Sequence, residues 1–171
     1  MTPRFTIADV DRLGLNCGPT AFAAILGLTL DEARPHFGDD WPGYTNPTCM
    51  FVALASAIGP RGKRWRIAAG PKQLGAGVSW PSWGLCRIQW HGRWMAPGVP
   101  IAARYRQTHW VGCCTDPARG VGIWDVNALN NSTGWCALAD WERVLVPHLT
   151  AEIKGADDGW SITHAVEVQR P

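Results

Sequence analysis

The 171-residue sequence predicts an α+β fold in which N-terminal helices pack on a mostly antiparallel β-sheet. Three observations carry that expectation. Helix-cap signals introduce small, apolar runs in roughly the first third of the chain. Short β-rich segments then follow one another, separated by Gly, Pro and Asp. One further helix interrupts them before a closing strand.

In order along the chain, Asn16 and Cys17 precede GPTAFAAILGL, a run without polar interruption that predicts a mostly buried helix entering at Pro19. Thr29 and Glu32 have capping-box spacing, the hydroxyl serving a free amide and the carboxylate reaching back, so a second short helix follows at once. Asn46 and Pro47 lead into a third helix over CMFVALASAI, with Thr48 as cap and Gly59 as stop. Gly and Pro are frequent between residues 59 and 100, which reads as loops joining short strands. The strands expected are KRWRIA at 63–68, LCRIQW at 85–90, PIAARY at 100–105, HWVGCCT at 109–115 and VGIWDV at 121–126. LADWERVLV predicts a helix over 138–146, ended by Pro147, and alternation in SITHAVEV marks the closing strand at 161–168. No repeat or linker divides the sequence, so residues 1–171 are read as one domain.

Hydrophobic residues make up 46% and charged residues 18%, a balance that excludes a disordered chain. A formal charge of +2 is too small for electrostatic capture of nucleic acid or an anionic membrane, so neither partner is expected. No apolar run reaches the ~18 residues of a membrane helix. The N-terminal MTPRFTIADVDRLG lacks the apolar centre of a secretory signal, and the six cysteines form no CxxC pair. The expectation is a cytoplasmic chain with reduced thiols, no structural zinc and no cofactor. Eleven tryptophans stand beside two tyrosines and four phenylalanines, and they are expected in the core or lining a groove, since an indole is large and apolar with one donor to satisfy.

Nucleophilic chemistry by a thiol needs a helix N-terminus to stabilise the thiolate, a histidine to share its proton and a polar group to orient that histidine. Cys17 lies just before a predicted helix, where unpaired amides and the helix dipole lower a thiol pKa. Gly18 is expected to let the backbone approach a ligand closely. A buried structural cysteine is the alternative reading of Cys17. His109 opens the HWVGCC strand, and a hairpin turn over 116–120 returns the chain through GIWDVN, placing Asp125 roughly opposite His109. A carboxylate there can accept from one imidazole nitrogen while the other faces a thiol. Asn127, two residues on, is a rival for the orienting role, and an ordinary cross-strand His–Asp pair is the plain alternative.

LNCGPTAFAAILGL, with its Cys at a helix start, the distant THWVG strand and IWDVN sixteen residues after the histidine together resemble the papain-like cysteine peptidases. The resemblance is to the bacteriocin-processing peptidase domains of ABC exporters in particular. GYTNPT at 43–48, RYRQTHWVG at 104–112 and NSTGWCALADWE at 131–142 also resemble uncharacterised phage and prophage proteins sharing this core. The resemblance implies a papain-like fold with Cys17 as nucleophile, His109 as base and Asp125 orienting it, in a cysteine-dependent peptidase, isopeptidase or amidase of a producing or infected bacterial cell. It implies a peptide or protein substrate. The exporter peptidases carry a Gln six residues before the Cys to complete the oxyanion hole; Asp11 stands there in this sequence, and an anionic side chain repels a developing oxyanion. Either the Asn16 side chain or another amide is expected to substitute beside the Cys17 backbone N–H, with Asn127 as a supporting residue, or hydrolysis is slow or absent. The same departure supports a second class of function, a peptidase-fold protein that binds and inhibits a host protein without turnover. An acyl transferase using the same triad is a third.

Cys113 and Cys114 fall on opposite strand faces and are expected as core thiols, as are Cys49, Cys86 and Cys136. His91 and His164 are expected in ordinary surface or strand roles. The basic run from Arg61 to Arg66 reads as a solvated strand edge, with nucleic-acid stacking on Trp65 as its alternative. The tryptophans at 80, 83, 90 and 94 are candidates for a peptide or sugar groove. Asn130 and Asn131 sit in glycosylation sequons, which carry no meaning without secretion.

Overall fold

Thr6, Asn16, Thr29 and Asn46 each hold an extended backbone and accept a hydrogen bond from an amide of the following turn, starting four helices. The computed structural model describes residues 2–38, 41, 43–69, 80–105 and 107–171. α1 (Ile7–Leu13) begins with a Thr6/Asp9 capping box and has no counterpart in the sequence expectations. α2 (Cys17–Leu26) starts two residues earlier than expected: Asn16 is the cap, and Pro19 sits in the first turn, where its missing N–H costs nothing. α3 (Leu30–Ala33) has the Thr29/Glu32 capping box expected. α4 (Pro47–Ile58) is capped by Asn46 rather than Thr48, because Pro47 is pre-set for the first helical position and pushes the cap one residue before it.

The strands are β1 (Trp65–Ala69), β2 (Trp83–Gly92), β3 (Thr108–Asp116), β4 (Gly120–Trp124), β5 (Trp135–Ala137) and β6 (Ala156–Val168). They form one open six-stranded sheet in the order β1-β6-β2-β3-β4-β5, and each pair is antiparallel. The α+β class with an antiparallel sheet is therefore as expected. PIAARY is not a strand: Ile101–Arg104 is a short helical turn, α5. β2 is flanked by β6 and β3 on its two edges, so no partner is left beside it for that segment. β1 begins at Trp65 rather than at Lys63, and the final strand starts at Ala156 and lies inside the sheet between β1 and β2.

Helices cover both faces. α1 to α4 bury Val10, Phe22, Ile25, Met50 and Leu54 against Trp83, Leu85, Trp110 and Val166 of the sheet. On the other face Trp141 and Val146 pack on Cys86, Ile88, Trp90, Val111 and Ile123. These two come from one helical stretch, α6 (Leu138–Asp140) running through a π turn (Trp141–Leu145) into α7 (Val146–Ala151). The expected end at Pro147 is overrun. Pro147 has no N–H and its ring crowds the carbonyl four residues back; the wider π turn, closed by Val146 N–H to the Trp141 carbonyl, relieves that and the helix continues. No helix among the described residues is long and apolar enough to cross a membrane.

Candidate active site

The N-terminus of α2 is anchored before any chemistry is considered. The Asn16 side-chain oxygen accepts the Gly18 N–H at 3.0 Å, and its amide donates to the Gly43 carbonyl. Gly18 packs on Thr45, whose Oγ1 would lie 2.3 Å from a Cβ at that position. Gly18 is thus required by the 43–46 segment rather than by an approaching ligand. Trp110 ties the same segment down, its indole N–H donating to the Thr45 carbonyl at 2.7 Å.

This seats Cys17 where the sheet has a gap. β4 ends at Trp124, opposite Gly112, so the Trp110 N–H has no β4 partner. The Cys17 sulfur accepts it at 3.3 Å. His109, one residue earlier on β3 and 8% exposed, donates from Nε2 to Asp125 Oδ2 at 2.9 Å, and the imidazole also interacts with the Cys17 thiol. The three sequence-predicted residues are therefore brought together.

The reason differs in part from strand register. Trp124 pairs Gly112, so Asp125 falls beyond the ladder, at the level of Val111, where its side chain caps the 3-10 turn Val126–Asn131. Asp125 is fully buried and accepts four bonds, from Asn127 N and Nδ2 on Oδ1 and from His109 and the Trp141 indole on Oδ2, each at 2.9 Å. Asn127 holds Asp125 and is not a rival orienter of His109. Trp90 stacks on the His109 imidazole and on Trp141, each with centroids 5.8 Å apart and planes 23° apart. Trp141 was missed as a site residue and Trp90 was expected only as groove lining: their contacts here are non-local, and the sequence carries no signal for them beyond tryptophan abundance.

Electrostatics follow from this packing. Burial alone raises the Cys17 thiol, but the His109 charge and hydrogen bond, helped by the Trp110 amide, outweigh it and bring the thiol below its ordinary value. Burial works against the His109 cation too, yet Asp125 and Cys17 on either side hold the imidazole well above its usual 6.5. Asp125 is lowered to about 2, burial being overcome by His109, Trp141 and Asn127. Cys113, Cys114 and Cys136 move the opposite way, each raised first by burial, Cys136 to about 11. The Cys17 thiol and the His109 imidazole are thus shifted toward each other, the thiol down and the imidazole up.

Cys17 and His109 open onto a cleft of about 430 Å³ that Asp11, Asn16, Asn127, Asn130 and His148 also line. Asn16 also reaches its rim, and one donor of its amide is engaged by the Gly43 carbonyl. His148, on α7, was not foreseen.

The remaining candidates resolve as packing. Trp90 is buried, Trp80 packs on Trp160 and the Trp94 indole bonds the Trp90 carbonyl, while Trp83, buried except at one edge, lines a separate hollow with Trp135 and Arg170, so the four rings do not share one groove. Trp65 is buried against Phe51 with its N–H on the Gly59 carbonyl, which removes it as a base-stacking platform. Cys86 and Cys113 are core thiols with sulfurs 3.7 Å apart. His91 bonds Ser161, and His164 is depressed to about 4 by burial and then by Arg87. No group of three or more His, Cys, Asp or Glu able to hold a metal ion occurs among the described residues. No family model, curated protein or solved structure matches this chain.

Proposed function

We propose that the chain is a papain-like cysteine hydrolase that cuts an amide bond in a peptide, an isopeptide conjugate or a cell-wall crosslink. The observation that carries the reading is the grouping of Cys17, His109 and Asp125 at one cleft, with His109 hydrogen-bonded to Asp125 at 2.9 Å, the thiol shifted down and the imidazole up by one another. The resemblance of the sequence around these residues to phage and prophage proteins goes with action in the cytoplasm of a bacterial cell.

In this reading the Cys17 thiolate attacks the carbonyl carbon, and the pair of electrons displaced from the carbonyl forms an oxyanion. The Cys17 backbone N–H, a first-turn amide with no carbonyl partner within α2, faces that charge. His109 Nδ1 gives its proton to the leaving nitrogen as the C–N bond breaks, leaving a thioester. It then takes a proton from water, whose oxygen attacks the thioester carbon and releases the acid and the thiolate. Asp125 keeps Nε2 protonated, so Nδ1 is the nitrogen that exchanges protons with the thiol and the leaving group.

The engagement of Asn16 with Gly43 and the presence of Asp11 in the cleft favour a second reading, a protein of the same fold that captures a host protein without turnover. Site-resolved alkylation of Cys17 by iodoacetamide as a function of pH, in the parent and in His109→Ala, separates the two. Fast alkylation below neutral pH that collapses without His109 supports the hydrolase; an ordinary thiol profile near pH ~8.5, unchanged in the variant, rules it out. Product analysis with and without an added amine separates hydrolysis from acyl transfer.

A further inference from the structure

The cleft beside Cys17 has one wall with a distinct chemistry. α1 turns Ile7, Val10 and Asp11 toward it, the spacing that brings three side chains onto one face of a helix. Asp11 is exposed, and its carboxylate has no hydrogen-bond or ion-pair partner among the described residues. By contrast Asp9, two residues earlier, is engaged by Thr6 and Arg12. The described lining of the cleft holds no lysine or arginine; its other titratable groups are Cys17, His109 and His148.

The charges within the site lean the same way. His109 lies between the Cys17 sulfur and the buried Asp125 carboxylate, which already engages it, so the imidazole is not a free cation for the cleft. Asp11 adds a further negative charge on the wall facing a ligand. Such a cleft attracts a cation and repels an acidic group. The half-buried Ile7 lies on the same helix face as Asp11, with Val10 buried behind it, so the wall pairs an aliphatic side chain with a carboxylate. That pairing matches a side chain with an apolar stem and a charged head.

Resting on the thiol-hydrolase reading, we propose that the α1 wall is a specificity subsite for a lysine or arginine side chain flanking the scissile amide, with the stem on Ile7 and the cationic head on Asp11. The bound cation also neutralises Asp11 while negative charge develops on the substrate oxygen in the same cleft. A residue that opposes the oxyanion in the empty site ceases to do so with the matching substrate in place.

The test uses the full chain and three reagents, each read at Cys17 by site-resolved mass spectrometry: tosyl-lysyl chloromethyl ketone, its norleucyl counterpart and iodoacetamide. In the chloromethyl ketones the thiolate forms a C–S bond as chloride departs. The lysyl reagent is expected to label about fivefold faster than the norleucyl one, the upper end for an exposed ion pair. That ratio falls to about one in Asp11→Asn and shrinks in high salt. A ratio of one in the parent, or one that persists in Asp11→Asn, overturns the subsite while leaving the nucleophile intact. Failure of all three reagents to label Cys17 near neutral pH overturns the hydrolase reading and this inference with it.

Discussion

Replacing Asp125 by Asn keeps the shape of the side chain and changes the logic of its hydrogen bonds. The carboxylate accepts from four donors, with the Asn127 amides on one oxygen and His109 and the Trp141 indole on the other. In Asp125→Asn the amide oxygen stays with Asn127 and the NH2 group confronts two donors. His109 relieves this by accepting at Nε2, which moves its proton to Nδ1, the nitrogen that must take the proton of the thiol. The cationic imidazole also loses its charge partner, and Cys17 returns toward an ordinary thiol. At about pH 6 a thiol with a pKa of ~8.5 is only about 0.3% thiolate, which caps the loss in alkylation rate at roughly 300-fold. The restored thiolate is intrinsically more nucleophilic, with a Brønsted slope of ~0.4–0.5, and this returns about tenfold or more, leaving a loss of roughly ten- to thirtyfold. The same compensation makes the variant react faster than the parent above about pH 9, so the two profiles cross. Iodoacetamide alkylation across pH, resolved at Cys17 and accompanied by a thermal melt to confirm folding, measures this. Superimposable profiles would refute the argument that Asp125 sets the tautomer and charge of His109.

Cys17→Ala leaves the buried Trp110 N–H without its acceptor and is expected to be less stable than Cys17→Ser by about 1 kcal/mol in urea denaturation. Gly18→Ala forces a Cβ into Thr45 and is expected to cost about 1–3 kcal/mol, seen as a lowered midpoint of thermal unfolding. The Asp125 carboxyl is depressed from 3.8 to about 2, so its stabilisation is present above pH 3.8 and lost as pH falls toward 2. The His109 imidazole is raised, so its contribution is present below 6.5 and lost as pH climbs through the raised value. Unfolding free energies measured across pH are expected to fall on both flanks, and Asp125→Asn flattens the acid one.

The parts of the site legible in the sequence are those fixed by local chemistry. The small, apolar run after Cys17 marks a buried helix with the thiol at its start, although the helix begins at Cys17 behind an Asn16 cap rather than at Pro19. The His109 strand and the return through Asp125 follow from a turn-forming segment between two β-rich runs. Register was less legible, because Asp125 leaves the ladder to cap the next turn, and a side chain that reaches back looks the same in sequence as one directly opposite. The α1 capping box was readable by the rule that finds Thr29 and Glu32, but Asp9 is shorter than the usual Glu and the helix is only seven residues long. PIAARY has strand-like composition, and only the sheet order shows that no edge awaits it. The seat of Trp141 on Asp125 comes from packing across the sheet and leaves no local trace.

The π turn at Trp141–Leu145 gives the segment one residue more than its packing uses. Trp141 and Val146, five apart, would point to different sides of a regular α-helix, yet both are buried against the same sheet face. Removing one of the exposed residues Glu142, Arg143 or Val144 would bring the pair to a spacing of four, which an α-helix places on one face. That deletion would also close the π turn and return the Pro147 ring to the carbonyl four residues before it, so the extra residue is what lets one helical stretch carry both Pro147 and an indole seated on Asp125.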